Sequence, residues 1–130
     1  MHTNNTVSLI QKMSTLINSA ASAEQGALEA VSIAREHFQD DQLALLNALT
    51  RLLEACYPQV DALARAVICR GAVDTAHRTG DRTLLMNTYI RCAFYCLILA
   101  EEFLDKAIEV MREISPDNVA LVQLIRDKLC

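Results

Sequence analysis

The scarcity of turn-making residues constrains this chain most. Its 130 residues contain three Gly and two Pro, and its breakers stand far apart: "SAEQG" from Ser22, "QDDQ" from Gln39, "RTG" from Arg78 and "SPDN" from Ser115. Between them apolar residues recur three and four positions apart, the period of an amphipathic helix. A sheet protein would need a turn every few residues and a β-branched vocabulary. This chain is instead rich in Ala, Leu, Met, Glu, Gln and Arg, the strong helix formers. With 52% hydrophobic residues it reads as one all-α domain with a packed core.

The pattern predicts seven helices. The first starts behind a cap at Asn4, Asn5 or Thr6 and runs to about Ala20, with Val7, Ile10, Met13, Leu16 and Ile17 on one face. Ser22 and Gln25 stand at capping-box spacing before a second helix that ends near Phe38. Asp40 or Asp41 caps a third, carrying Leu43, Leu46, Leu49, Leu53 and Cys56. Pro58 suits the first position of a fourth, which continues through Leu63, Ala66, Val67, Val73 and Ala76 to a left-handed stop at Gly80. Asp81 caps a fifth helix reaching about Leu99, with no Gly or Pro to separate it from a sixth ending at Ile114. Ser115 and Pro116 open the seventh.

The net charge of -4 opposes phosphate, and no basic stripe offsets it, so nucleic acid is an unexpected partner. The longest apolar stretch, "CAFYCLILA", has nine residues, too few to span a bilayer, and "MHTNNT" lacks a secretion signal. These features predict a cytoplasmic protein without a membrane role. Neither terminus carries a decisive end, so the chain also reads as part of a longer regulator. Five cysteines are an odd set, and Cys56, Cys69, Cys92 and Cys96 fall inside apolar pattern, as reduced, buried thiols do.

The odd-numbered helices repeat one another. Leu9-Ile10-Gln11, Leu45-Leu46-Asn47, Leu85-Met86-Asn87 and Leu121-Val122-Gln123 lie 36, 40 and 36 residues apart, each with two apolar residues before an amide. The even-numbered helices align from Ala30, Ala72 and Ala107, small residues that suit a close crossing. Such periods, with two helices per unit, mark helical solenoids whose hairpins must stack to bury their apolar sides. On these residues, the "TGDRTLL" joint and Pro116, the chain resembles the tetratricopeptide-like family of divergent bacterial type, although it has no Trp and lacks that family's Leu-Gly and Tyr signature. The resemblance implies helix pairs over 6–38, 41–78 and 81–114 with a closing helix over 116–129. The alternative fold is a globular bundle of six or seven helices.

Asn47 and Arg51, and likewise Asn87 and Arg91, are one helical turn apart, so amide and guanidinium leave the same face. In a solenoid such faces line one groove, and Gln11 and Gln123 occupy the matching places on the outer first-type helices. The resemblance implies that these residues hold the backbone and carboxylates of a peptide or helix, and Arg and Asn have the donors for it. A solvated face with Arg51 on Glu54 and Arg91 on a nearby carboxylate is the competing reading.

Cys69, His77, Cys92 and Cys96 have metal-ligand chemistry at the wrong spacing for a structural zinc site, so neither metal nor cofactor is expected. His37 and His77 sit where an imidazolium would favour a helix C-terminus. "RCAFYCLILAEEF" is apolar all round, which places its helix mid-fold, or else gives one side to a homodimer or an apolar ligand. No acid-base pair, nucleophile elbow or phosphate loop appears, so an enzyme is not expected. The expected function is a protein-binding module: an adaptor, a secretion-type chaperone or the sensory part of a bacterial regulator. The alternative is a DNA-binding regulator using Arg65, Arg70, Arg78 and Arg82.

Overall fold

The computed structural model describes the backbone of residues 2–57 and 60–130, and the side chains of 7–57 and 60–130. Among these residues there are seven α-helices and no strand: α1 (His2–Ser19), α2 (Ala23–His37), α3 (Gln42–Cys56), α4 (Ala62–Thr79), α5 (Arg82–Tyr95), α6 (Ala100–Ile114) and α7 (Val119–Leu129). Two 3-10 turns, Leu97–Leu99 and Pro116–Asn118, precede α6 and α7.

Four helix starts are set by local chemistry. Ser22 Oγ accepts from the Gln25 N–H at 3.1 Å, Asp41 from Ala44 at 3.0 Å, Asp61 from Leu63 at 2.7 Å and Asp81 from Leu84 at 3.0 Å, each satisfying a donor that the first turn leaves open. Gly80 ends α4 at φ 76°, in the left-handed region where a Cβ is penalised.

Other boundaries differ from the sequence reading. Asn4, Asn5 and Thr6 lie within α1 rather than before it, since no Gly or Pro stops the helix reaching His2. Pro58 lies outside the described residues, and the cap of α4 is Asp61, three positions on. Ser115 does not cap α7 directly. Its hydroxyl accepts from Asn118 Nδ2 at 2.6 Å, and a 3-10 turn intervenes. The fifth helix ends at Tyr95, because Cys96 turns to an extended conformation (φ -140°, ψ 92°). No local residue demands that break. Arg65 of α4 caps it: its Nη1 donates to the Tyr95 carbonyl at 2.7 Å, an acceptor that the helix end leaves open.

Consecutive helices pair: α1 with α2, α3 with α4, and α5 with α6. The first two hairpins lie side by side through α2 on α4 and α1 on α3, the third joins through α4 and α5, and α7 closes on α6. Ala30, Ala72 and Ala107 are all buried, as their alignment predicted. Two glycines missed in that alignment allow still closer approach. A Cβ on Gly26 would come within 2.7 Å of the Ile17 Cα, and one on Gly71 within 3.1 Å of the Val31 side chain.

Burial along the helices follows these contacts. In α1, Leu9, Ile10, Met13 and Ile17 face inward while Val7 is exposed and Leu16 half-buried. In α4, Ala64, Ile68, Cys69 and Ala72 are core, whereas Leu63 points to solvent and Ala66 and Val67 are half-buried. Because α4 touches α2, α3 and α5 together, it has no single apolar stripe to read.

Candidate binding groove

The two helices that carry the repeated Asn face each other across a cleft of about 300 Å3. From α3 it is lined by Leu43, Leu46, Asn47, Thr50 and Leu53. From α5 it is lined by Leu84, Asn87, Thr88, Arg91 and Cys92. Both sets step by three and four residues, the ladder that one helix face presents.

The polar character of this cleft comes from few groups. Thr50 Oγ1 donates to the Leu46 carbonyl at 2.9 Å and Thr88 Oγ1 to the Leu84 carbonyl at 2.8 Å, so both hydroxyl protons are engaged within their own helices. Asn47, Asn87 and Arg91 remain, exposed and without a side-chain partner among the described residues. Arg91 also lines a shallower depression, shared with Asn87, that runs on to Phe94 and Tyr95. No carboxylate lines either hollow.

The structure therefore brings together three of the six residues singled out from sequence. Arg51 is half-buried on α3 outside the cleft lining, Gln11 lies exposed on α1, and Gln123 of α7 donates from Nε2 to its own neighbour Asp127 at 3.2 Å. The predicted sharing of one hollow by all four first-type helices is thus corrected to α3 and α5. The reason is the packing: α7 meets the fold through α6, away from α3. The ion pairs of the competing reading, Arg51 with Glu54 and Arg91 with a nearby carboxylate, are absent among the described residues. Leu43, read as core, is 64% exposed at the cleft's edge. Its place one turn before Asn47 was the signal for that role.

The basic near-cluster is differently engaged. Arg70 holds Glu102 through two bonds of 2.9 and 3.2 Å, Arg78 meets Asp74 at 2.9 Å and Arg82 meets Glu113 at 2.8 Å. Arg65 donates to the carbonyls of Val60 (3.0 Å) and Tyr95, with its guanidinium 5.3 Å from the Tyr57 ring centre.

The thiols are packed groups. The neighbouring Cys92 thiol and burial push Cys69 up from the ordinary thiol range, and the Cys69 thiol and burial do the same to Cys96. Both stay protonated at neutral pH, which disfavours nucleophilic chemistry. His77 hydrogen-bonds the Tyr89 hydroxyl at 3.1 Å, away from these thiols. Among the described residues no three His, Cys, Asp or Glu side chains are placed to share a metal ion. Nor is any described helix long and apolar enough to cross a membrane.

Compared with known proteins, the chain matches no family model, no curated protein and no solved structure.

Proposed function

We propose that this chain is a tetratricopeptide-like interaction module that holds a peptide or helix of a protein partner in the α3–α5 groove, acting in the cytoplasm as an adaptor, a secretion-type chaperone or a sensory domain. One observation carries the reading: Asn47, Asn87 and Arg91, three of the four members of the repeated Asn and Arg pairs, line one cleft and have no side-chain partner among the described residues. Apolar walls from Leu43, Leu46 and Leu84 supply burial, and the three polar groups supply register. The DNA-binding alternative has less behind it, since three of its four arginines are already matched by carboxylates.

Photo-cross-linking in the native host tests the proposal. A benzoylphenylalanine placed at Asn47 or Asn87 is expected to trap a protein partner, while the same probe at Glu109 of α6 traps none. Arg91→Ala is expected to reduce the adduct yet leave thermal stability within about 0.5 kcal/mol of the parent, the range for an exposed side chain without a partner. Equal capture from Glu109, or a stability loss in Arg91→Ala as large as a core truncation, would overturn the proposal.

A further inference from the structure

At its Arg91 end the groove opens onto an apolar tip. Phe94, Leu97, Ile98 and Tyr57 are 49, 63, 59 and 45% exposed there. Four bulky apolar side chains in water at one corner of a chain this size form a patch that calls for an occupant. The patch is held firmly. Arg65 ties the end of α5 to α4, and the Tyr57 and Tyr95 rings meet edge-on at 5.5 Å.

The tip and the groove meet at Tyr95, whose ring touches that of Tyr57. Asn87 and Arg91 line both the cleft and the depression that ends at Phe94 and Tyr95, while Tyr57, Arg65, Leu97 and Ile98 line the next hollow. From Leu84 to Tyr95 the strip follows α5 for about 16 Å at 1.5 Å per residue, close to three helical turns, and the tip beyond the break at Cys96 lengthens it. Its order is apolar, then cationic at Arg91, then apolar. No carboxylate lines any of the three hollows, and the cations along them are Arg91 and Arg65, in a chain whose net charge is -4.

Resting on the groove reading above, we infer that the occupant is an amphipathic helix of about four turns in an acidic partner, apolar at both ends, with a carboxylate between them facing Arg91. A helix is favoured over an extended peptide because the walls are themselves helices, whose backbone donors and acceptors are internally paired. A strand laid there would bury unsatisfied peptide groups, whereas a helix satisfies its own. The carboxylate follows from charge complementarity with an arginine that this protein leaves open. A second copy meeting tip to tip would set Arg65 and Arg91 against like charges, and so complements the surface less well.

A displayed library of 16-residue helix-favouring peptides, selected on the full chain, tests this. Enriched peptides are expected to carry apolar residues at both ends and Asp or Glu between. The best of them should lose about tenfold in affinity, read by fluorescence anisotropy, against Arg91→Glu and against the Leu97→Ser/Ile98→Ser pair. Exchanging its acid for Lys should restore binding to Arg91→Glu. All three tip and groove positions are exposed, and circular dichroism of each variant checks the fold.

If Leu84→Ser weakens the peptide but the tip pair does not, the site stops at the cleft. That outcome sinks this inference and leaves the groove reading standing. Enriched peptides with no acid, or indifferent to Arg91→Glu, also overturn it. If no peptide is enriched, or none that Leu84→Ser weakens, both readings fall. Sedimentation with phosphatidylserine vesicles, or a concentration-dependent dimer, either of them abolished by the tip pair, would assign the patch to a membrane or to a second copy instead.

Discussion

Two sides of this molecule carry arginines, and they use them in opposite ways. On α2, α4 and α6 the charges close upon one another: Arg35 reaches Asp74 at 3.3 Å, Arg78 shares that carboxylate, and Arg70 holds Glu102. These pairs join α2 to α4 and α4 to α6. On α3 and α5, Arg51 and Arg91 have no such partners among the described residues, and bulky apolar side chains stand beside Arg91 in the open. Each exposed ion pair contributes little to stability. Their distribution is more informative than their energy, because a surface that satisfies itself has no chemistry left for a partner, while one that leaves a guanidinium and apolar walls unmatched does.

That contrast presumes a core rigid enough to hold the sides apart, which gives the largest expected effect. Phe103 is buried beneath the ionic side, 5.4 Å from the Tyr89 ring and with the Arg70 guanidinium 5.8 Å from its own ring centre. Phe103→Ala should cost about 3–5 kcal/mol in urea unfolding, through lost burial and the cavity left behind. A cost below about 1 kcal/mol would mean the core refills easily and does not fix either side. Next comes Arg65, the half-buried arginine whose donors face inward. Arg65→Met keeps an apolar stem but loses the bonds to Val60 and Tyr95, and should cost about 1.5–3 kcal/mol, with faster amide exchange at Leu97 to Leu99. Unchanged exchange there would place the cause of the Cys96 break in the local sequence.

These arginines also mark where sequence reading succeeds and stops. Caps at Ser22, Asp41 and Asp81 and the stop at Gly80 are decided within a few residues, so they were legible. The hairpin pairing was legible from periodicity, and the meeting of Asn47 with Asn87 from the spacing of the repeat. The end of α5 was not, because the group that satisfies its last carbonyl, Arg65, lies thirty positions earlier. The openness of Arg91 was not either: in sequence it looks like Arg70 or Arg82, and only packing decides which guanidinium finds a carboxylate. The exposed tip was legible in part: "RCAFYCLILAEEF", apolar all round, allowed an open side, but apolar residues at a helix end look alike whether a neighbour covers them or not.

The smallest effect tests the self-satisfied side, through pH. The Arg70 guanidinium holds the Glu102 carboxyl below its ordinary value of 4.5, and Glu102 in turn raises Arg70. A carboxyl whose folded pKa lies below its unfolded one stabilises the fold fully above the unfolded value, and that contribution fades as pH falls through the folded value. Both side chains are about half exposed, so solvent screening keeps the pair within about 0.2–1 kcal/mol. Glu102→Gln should therefore lower stability slightly at pH 7, and the difference from the parent should shrink towards zero as the pH is taken below 4.5. It should shrink at high salt as well, since the pair faces water. A difference that persisted in acid would show that Glu102 stabilises the fold by packing against α4 and not by its charge, and the ionic link between α4 and α6 would lose its place in the contrast with α3 and α5.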